Sequence, residues 1–239
     1  WIRTIRRKCQ MKRHLRRAVI AASLSAAAVL PASAQGLPPG FARVADVVPG
    51  ILQDVRYAGS DNFYGRPVPG YGAAECWLLK PVAEALGKVE ADARARGLRL
   101  VLWDCYRPQR ATDAFVRWAA DPNDQATKAR YYPNIDKSAL FAAGYIAKNS
   151  SHSTGTAVDL GLAMADGRVL DFGSSYDLSD PMSSTASTAV SAAARSNRAV
   201  LRSLMEARGF KNYHREWWHY SYPPAGRQPA HDVPITAGR

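Results

Sequence analysis

Two short stretches concentrate the side chains able to do chemistry: residues 150–159 (SSHSTGTAVD) and 216–220 (EWWHY). Beyond residue 34 the chain holds four histidines, at 152, 214, 219 and 231, and two of them sit beside carboxylates. His152 precedes a glycine-containing turn into a stretch that carries Asp159, so both can point into one cleft. His219 follows an aromatic pair and has Glu216 three residues before it. Zinc takes imidazole nitrogen and carboxylate oxygen at about 2.0–2.2 Å, and a catalytic site uses three protein ligands plus water. His152, Asp159 and His219 make such a set. Glu216 then remains free to take a proton from water, whose pKa a zinc ion lowers towards about 7. This is the equipment of metal-assisted hydrolysis. On spacing alone a plainer reading stands beside it: hydrogen-bonded or surface histidines, a solvated Asp159, and Trp217 and Trp218 as core.

The elements that must position these residues follow from periodicity. Val82, Leu86, Val89 and Ala93 recur at spacings of four, three and four, which predicts a helix over 80–96 stopped by Gly97. Residues 98–103 (LRLVLW) read as a buried strand, followed by a turn at Asp104-Cys105-Tyr106-Arg107-Pro108. Pro108 suits a first helical position, so a second helix is expected over 109–120. Residues 121–136 are polar and read as a connecting loop. Residues 157–162 alternate, with Val158, Leu160 and Leu162 on one face and Ala157, Asp159 and Gly161 on the other. That pattern predicts a half-buried strand with one acid on its polar face. Residues 54–71, rich in Gly, Pro and aromatics, suggest a structured loop. Residues 180–197, rich in Ser, Thr and Ala, suggest a long surface loop. A helix is expected over 198–208, strand material over 210–222, and a tail from Pro223 onward. Strands and helices without βαβ regularity argue for a single α+β domain with a small antiparallel sheet flanked by helices.

Composition narrows the function classes. The 239 residues carry 32 Lys plus Arg against 20 Asp plus Glu, a formal charge of +12. Eight of those basic side chains, and no acidic one, lie in residues 1–34, which leaves +4 over the remaining 205. The basic character belongs mostly to the leader, and a nucleic-acid partner loses its main support. From Met11 the order is a basic stretch (Lys12 to Arg17), an apolar run (Ala18 to Leu30), then Pro31 and Ala32-Ser33-Ala34. This is a secretory signal peptide over 11–34, preceded at 1–10 by an upstream extension. The apolar run is shorter than the roughly 20 residues that span a bilayer, so no membrane anchor is expected after cleavage. The mature chain is then 35–239 and periplasmic or secreted. Cys9 leaves with the leader, and Cys76 and Cys105 remain as a pair in an oxidising compartment, where a disulfide between them is expected; two buried free thiols are the alternative.

The wording of the two chemical segments goes further than their spacing. SSHSTGTAVDL followed by EWWHY resembles the zinc D-alanyl-D-alanine dipeptidases, the group that includes the vancomycin-resistance dipeptidases. Their wider family contains D-Ala-D-Ala carboxypeptidases, and their fold is related to the Hedgehog signalling domain. Residues 54–63 (DVRYAGSDNF), 76–79 (CWLL), 104–110 (DCYRPQR) and 144–147 (GYIA) look like that group's segments in the same order, from about Val44 to Tyr222. The resemblance implies one zinc per chain held by His152, Asp159 and His219, with Glu216 as the general base that later protonates the leaving amine. It places Arg107 beside the scissile carbonyl, against the alternative of a structural ion pair with Asp104. Asp177 matches the position that would meet the substrate's amino terminus, with Ser150 adding a hydrogen bond and Tyr57 closing over the ligand. Two departures stand out: Thr154 replaces a commonly basic residue, and 180–197 is unlike the group's loop.

The implied activity is hydrolysis of the small dipeptide D-alanyl-D-alanine to two D-alanines in the cell envelope. One rival is a D,D-carboxypeptidase or endopeptidase cutting larger muropeptides. The other is a non-catalytic zinc module that binds cell-wall fragments, which would need neither Glu216 nor Arg107.

Overall fold

The apolar run after Gly97 becomes an inner strand of the main sheet. The structure is a computed structural model that describes Trp1 and residues 36–238, so the leader expected at 11–34 lies outside the described residues. Along the chain come β1 (Phe41–Arg43), α1 (Val44–Val47), β2 (Leu52–Gln53), β3 (Trp77–Leu79), α2 (Lys80–Arg94) and β4 (Leu98–Asp104). There follow α3 (Gln109–Ala120), α4 (Lys128–Tyr131), β5 (Ala157–Met164), α5 (Ala192–Glu206), β6 (Lys211–Asn212) and β7 (His219–Ser221). The main sheet has the order β2-β4-β5-β7-β6, and β1 pairs with β3 in a separate two-stranded sheet. The arrangement is α+β, as the sequence predicts. The sheet is mixed rather than purely antiparallel, because β2 runs parallel to β4. A parallel pair needs a long crossover, and here the connection passes through the 54–71 loop, β3 and α2.

Helix α2 forms where the apolar spacing places it, with Val82, Leu86, Val89 and Ala93 fully buried. Helix α2 packs on β4 and on α5. Strand β5 departs from the half-buried expectation: every residue from Ala157 to Ala163 is buried. The face expected to be polar is covered by an aromatic layer. Trp103 stacks on Tyr176 with centroids 5.2 Å apart and meets Trp217 edge-on at 5.7 Å. Gly161 makes room for it, since a Cβ there would lie 2.4 Å from the Trp103 ring.

Three other expectations change. Helix α5 begins at Ala192, six residues before the expected start, with the Ser191 hydroxyl accepting from the Ala194 N–H at 3.1 Å. The alanine-rich stretch lacks large apolar side chains, but alanine is the best helix former and Ser191 caps it. Arg198 is therefore a buried helix residue, donating to the carbonyls of Phe172, Met182 and Ser184. The 121–136 loop contains α4. The expected tail folds back instead: Ile235 is fully buried and pairs with Tyr71, and the Tyr106 hydroxyl bonds both the N–H and the carbonyl of Val233. Cys76 and Cys105 are joined, with their Cα atoms 5.3 Å apart.

A methyl group at position 161 must displace a tryptophan that is itself packed on both sides. Gly161→Ala is expected to lose about 1–3 kcal/mol of stability, the usual range for overpacking. Urea unfolding followed by tryptophan fluorescence checks it.

Candidate active site

The pairing register lines up the chemistry. Asp104 of β4 pairs with Asp159 of β5, and Asp159 pairs with His219 of β7. In the regular part of the β4–β5 ladder Leu102 faces Leu160, so Asp104 would face Val158. A register shift between Leu102 and Asp104 inserts Trp103 as an extra residue and turns Asp104 to the face shared by Asp159 and His219. Slips of one residue reverse the faces of a strand, and bulges use that to re-aim a side chain. His152 arrives from outside the sheet, on a 3-10 turn over Ser151–Thr154 ended by Gly155 at φ 70°. A side chain at 155 would collide with Phe41 as well as strain the backbone.

The two imidazoles and one carboxylate converge. The His152 Nε2 atom lies 3.0 Å from His219 Nδ1 and 3.2 Å from Asp159 Oδ1, and His219 Nδ1 lies 2.9 Å from the same oxygen. Each group is held from behind. The His152 Nδ1 atom donates to the Cys105 carbonyl at 2.6 Å. A carbonyl only accepts, so Nδ1 carries the proton and Nε2 presents its lone pair. The Tyr176 hydroxyl donates to Asp159 Oδ2 at 3.1 Å. The His219 Nε2 atom lies 3.5 Å from Ser221 Oγ, a position for the ring proton when Nδ1 serves as a ligand. Two nitrogens and one oxygen, oriented by outer partners, fit a divalent metal such as zinc. Among the described residues this is the one cluster of three or more His, Cys, Asp or Glu with such geometry.

Glu216 sits in the turn before β7, its Oε2 3.9 Å from His219 Nδ1, beside the cluster rather than in it. Burial, reinforced by Asp159, pushes its carboxyl up to about 7, although His219 and Arg107 pull the other way. Burial also opposes ionisation of Asp159, but His152 and His219 outweigh it and hold that carboxyl well below its ordinary range. Arg107 donates through Nε and Nη2 to Asp104 Oδ2 at 2.9 and 2.7 Å, and Nη2 lies 3.8 Å from Asp159 Oδ2. It thus makes the ion pair with Asp104 and still lines the cleft. Asp104 itself is fully buried and takes the Tyr71 hydroxyl on its other oxygen at 2.5 Å.

Tyr57, Ser150 and Asp177 line the same cavity of 280 Å³. The Tyr57 hydroxyl donates to Asp177 Oδ1 at 2.9 Å, and Asp177 Oδ2 is buried with no partner among the described residues. Burial, with Asp159 nearby, raises the Asp177 carboxyl well above its usual range. Asp177 is also the one described non-glycine residue with positive φ, at 63°. Ser150 Oγ accepts the His152 N–H at 3.2 Å, so it caps the turn that presents His152. The residues that sequence reasoning missed are the outer partners. Ser221 lies two residues after His219 and Tyr176 adjoins Asp177, signals that were available; a backbone carbonyl at Cys105 leaves no trace in a sequence.

A family model described as D-ala-D-ala dipeptidase matches residues 39–235. A protein of Streptomyces coelicolor named D-alanyl-D-alanine dipeptidase is 46% identical over 182 residues, which are 76% of this chain and 90% of that protein. One of Enterococcus faecalis with the same name is 43% identical over the same shares. One of Escherichia coli, also so named, is 33% identical over 186 residues, 78% of this chain and 86% of that protein.

Two substitutions separate ligands from their supports. His152→Ala is expected to abolish stoichiometric metal, read by elemental analysis of the purified protein. Tyr176→Phe keeps all three ligands but frees Asp159 Oδ2, and should weaken metal affinity by roughly 10- to 100-fold in chelator competition.

Proposed function

The chain belongs to the D-Ala-D-Ala dipeptidase family, and from that membership and the geometry of the cleft we propose that it hydrolyses free D-alanyl-D-alanine to two D-alanines. One zinc ion would be held by His152 Nε2, Asp159 Oδ1 and His219 Nδ1. Bound there, zinc supplies Lewis acidity that polarises a carbonyl and acidifies water. The remaining work falls to the chain's own residues. Glu216, with a carboxyl poised near neutral pH, takes the proton of the attacking water and returns it to the departing amine nitrogen. Arg107, locked by Asp104, aims a fixed positive charge where the carbonyl oxygen becomes negative.

The observation that carries the dipeptide reading is Asp177. A buried carboxyl oxygen without a partner costs free energy unless a cation meets it. A dipeptide's ammonium supplies that cation, and a peptide extended at its amino end does not. The cavity lies at the small end of ligand sites, which typically run to about 300–1,000 Å³, and Tyr57 and Phe63 are among its walls. Ser150, engaged by the His152 N–H as acceptor, keeps its own proton to offer to substrate.

We place the enzyme in the periplasm or outside the cell, with 35–239 as the mature chain. The leader pattern over 11–34 supports this, as does a Cys76–Cys105 link, since disulfides persist in oxidising compartments. There it would act in salvage or remodelling of wall-derived dipeptide.

Incubation of the zinc-loaded protein with D-alanyl-D-alanine should release D-alanine; turnover of the pentapeptide stem with none of the dipeptide would overturn the proposal. Glu216→Ala should retain zinc and lose hydrolysis. Arg107→Ala should lower kcat by about 10²–10³, the usual loss for an oxyanion donor. Asp177→Ala should raise KM for the dipeptide and narrow its advantage over the N-acetylated form, measured on the same substrate pair.

A further inference from the structure

We infer that the Cys76–Cys105 disulfide is a positioning element of the metal centre, bracing the one backbone carbonyl that orients His152. The inference rests on the reading of His152 as a metal ligand.

Past the bulge at Trp103, the chain leaves the sheet at Asp104, and the ladder no longer fixes the peptide planes that follow. The plane between Cys105 and Tyr106 carries both groups that matter. Its carbonyl accepts from His152 Nδ1 at 2.6 Å, and its N–H, that of Tyr106, donates to the Trp77 carbonyl at 2.8 Å. The disulfide ties the Cα on one side of this plane to Cys76, the residue next to Trp77. One peptide is therefore clamped at two adjacent points on the segment entering β3. That segment is itself anchored, because the Cys76 N–H donates to Gln53 Oε1 at 2.7 Å in β2. Tyr106 stacks on Trp77 with planes 2° apart. His152 completes the circuit from the other side, its carbonyl accepting the Arg107 N–H at 3.2 Å.

With the sulfurs separated, the 105–106 plane loses its covalent tie and is held by the Tyr106 N–H bond to Trp77, the ring packing and hydroxyl bonds of Tyr106, and the bond from His152, the ring it orients. Rotation of the plane swings the carbonyl off Nδ1 and leaves the ring that presents Nε2 with only the longer approach of Nδ1 to Asp104 Oδ2, at 3.4 Å. Both cysteines are 1% exposed, so the link is sealed in the core as a standing brace. Tyr57 and Asp177, the groups read as gripping the substrate amine, hang on other loops. Loss of the brace should therefore fall on the metal and on kcat more than on KM.

The experiment compares the full zinc-loaded protein with its Cys76→Ser/Cys105→Ser form, at a temperature where near-UV circular dichroism shows both folded. Zinc affinity is read by competition with a chromogenic chelator, and ligand geometry by the visible d–d bands after cobalt(II) substitution. The expected result is roughly 10- to 100-fold weaker zinc binding, the usual effect of losing an outer partner. Shifted cobalt bands and a lowered kcat with little change in KM should accompany it. Leu86→Ala, a core truncation in α2, controls for lost stability and should lower Tm without touching zinc affinity. Unchanged affinity and spectrum in the serine pair, or an equal loss of affinity in Leu86→Ala, would overturn the inference. If the serine pair does not fold, Cys76→Ala/Cys105→Val is measured in its place. Failure of both pairs to fold would also overturn it, since the link would then be a requirement for folding. A wild-type chain that takes up no zinc would remove the reading of His152 as a ligand, an outcome distinct from the others.

Discussion

Three carboxyl groups, Asp159, Asp177 and Glu216, line one cleft with a fourth, Asp104, buried behind it, and the structure around them is organised by how each is kept from repelling the rest. Burying an unpaired carboxylate is costly, and like charges in one site push each other's protonation upward. Asp159 lies between two imidazoles and stays ionised. Asp104 is matched by the Arg107 guanidinium and the Tyr71 hydroxyl. Burial shifts the carboxyls of Asp177 and Glu216 upward, with the negative charge of Asp159 adding to it and no full counter-charge to offset it. The four groups thus divide into two that hold charge as architecture and two whose charge answers to substrate. A buried ion pair such as Asp104–Arg107 is weak evidence for stability in itself. Its clearer consequence is that Arg107 enters the cleft with its direction already set.

The same division explains which parts of the molecule a sequence could reveal. Helix α2 and strands β4 and β5 follow from hydrophobic patterning, because burial of an apolar face leaves its mark on the chain, and α3 follows from the proline at its start. The bulge at Trp103 leaves none: it is a property of how β4 meets β5, and it decides that Asp104 joins the site. The first turns of α5 are small-residue sequence, and their helicity rests on alanine propensity, a serine cap and one buried arginine. The segment after Pro223 is polar, and its order comes from scattered ties, among them the Arg110–Asp232 pair and the Ile235–Tyr71 bridge. Within the site, spacing could say only that His152, Asp159 and His219 were able to meet. The family resemblance selected them. Neither identified Tyr176 and Ser221 as supports: both lie close in sequence to residues already singled out, but which hydroxyl meets which ligand is fixed only by contact.

Ligands and substrate-facing groups also differ in what carries them. Asp159 and His219 are paired strand residues in the middle of the main sheet, where displacement of one would disturb ladder bonds on both sides. Tyr57 and Asp177 lie on loops that depend on single buried polar residues. The Asn62 side chain gathers the carbonyls of Arg56, Gly59 and Arg66 and the N–H of Gly65, which shapes the loop that presents Tyr57. Arg198 does the same for the segment on either side of Asp177, binding the carbonyls of Phe172, Met182 and Ser184. It reaches Ser174, whose oxygen also accepts from the indole of Trp217, the neighbour of Glu216. A scaffold of this kind can change which peptide it accepts by exchanging loop residues around Asn62 or Arg198, while the sheet that fixes the metal ligands stays as it is. Within the 180–197 stretch, the part before α5 lies between the Arg198 ties and the turn before β7, where the Ser183 carbonyl accepts the Trp217 N–H at 3.1 Å and the Thr185 N–H donates to the His214 carbonyl at 3.0 Å. It therefore reaches both sides of the cleft, the loop that carries Asp177 and the turn that carries Glu216, so exchanges there bear on amine recognition and on the placement of the base together.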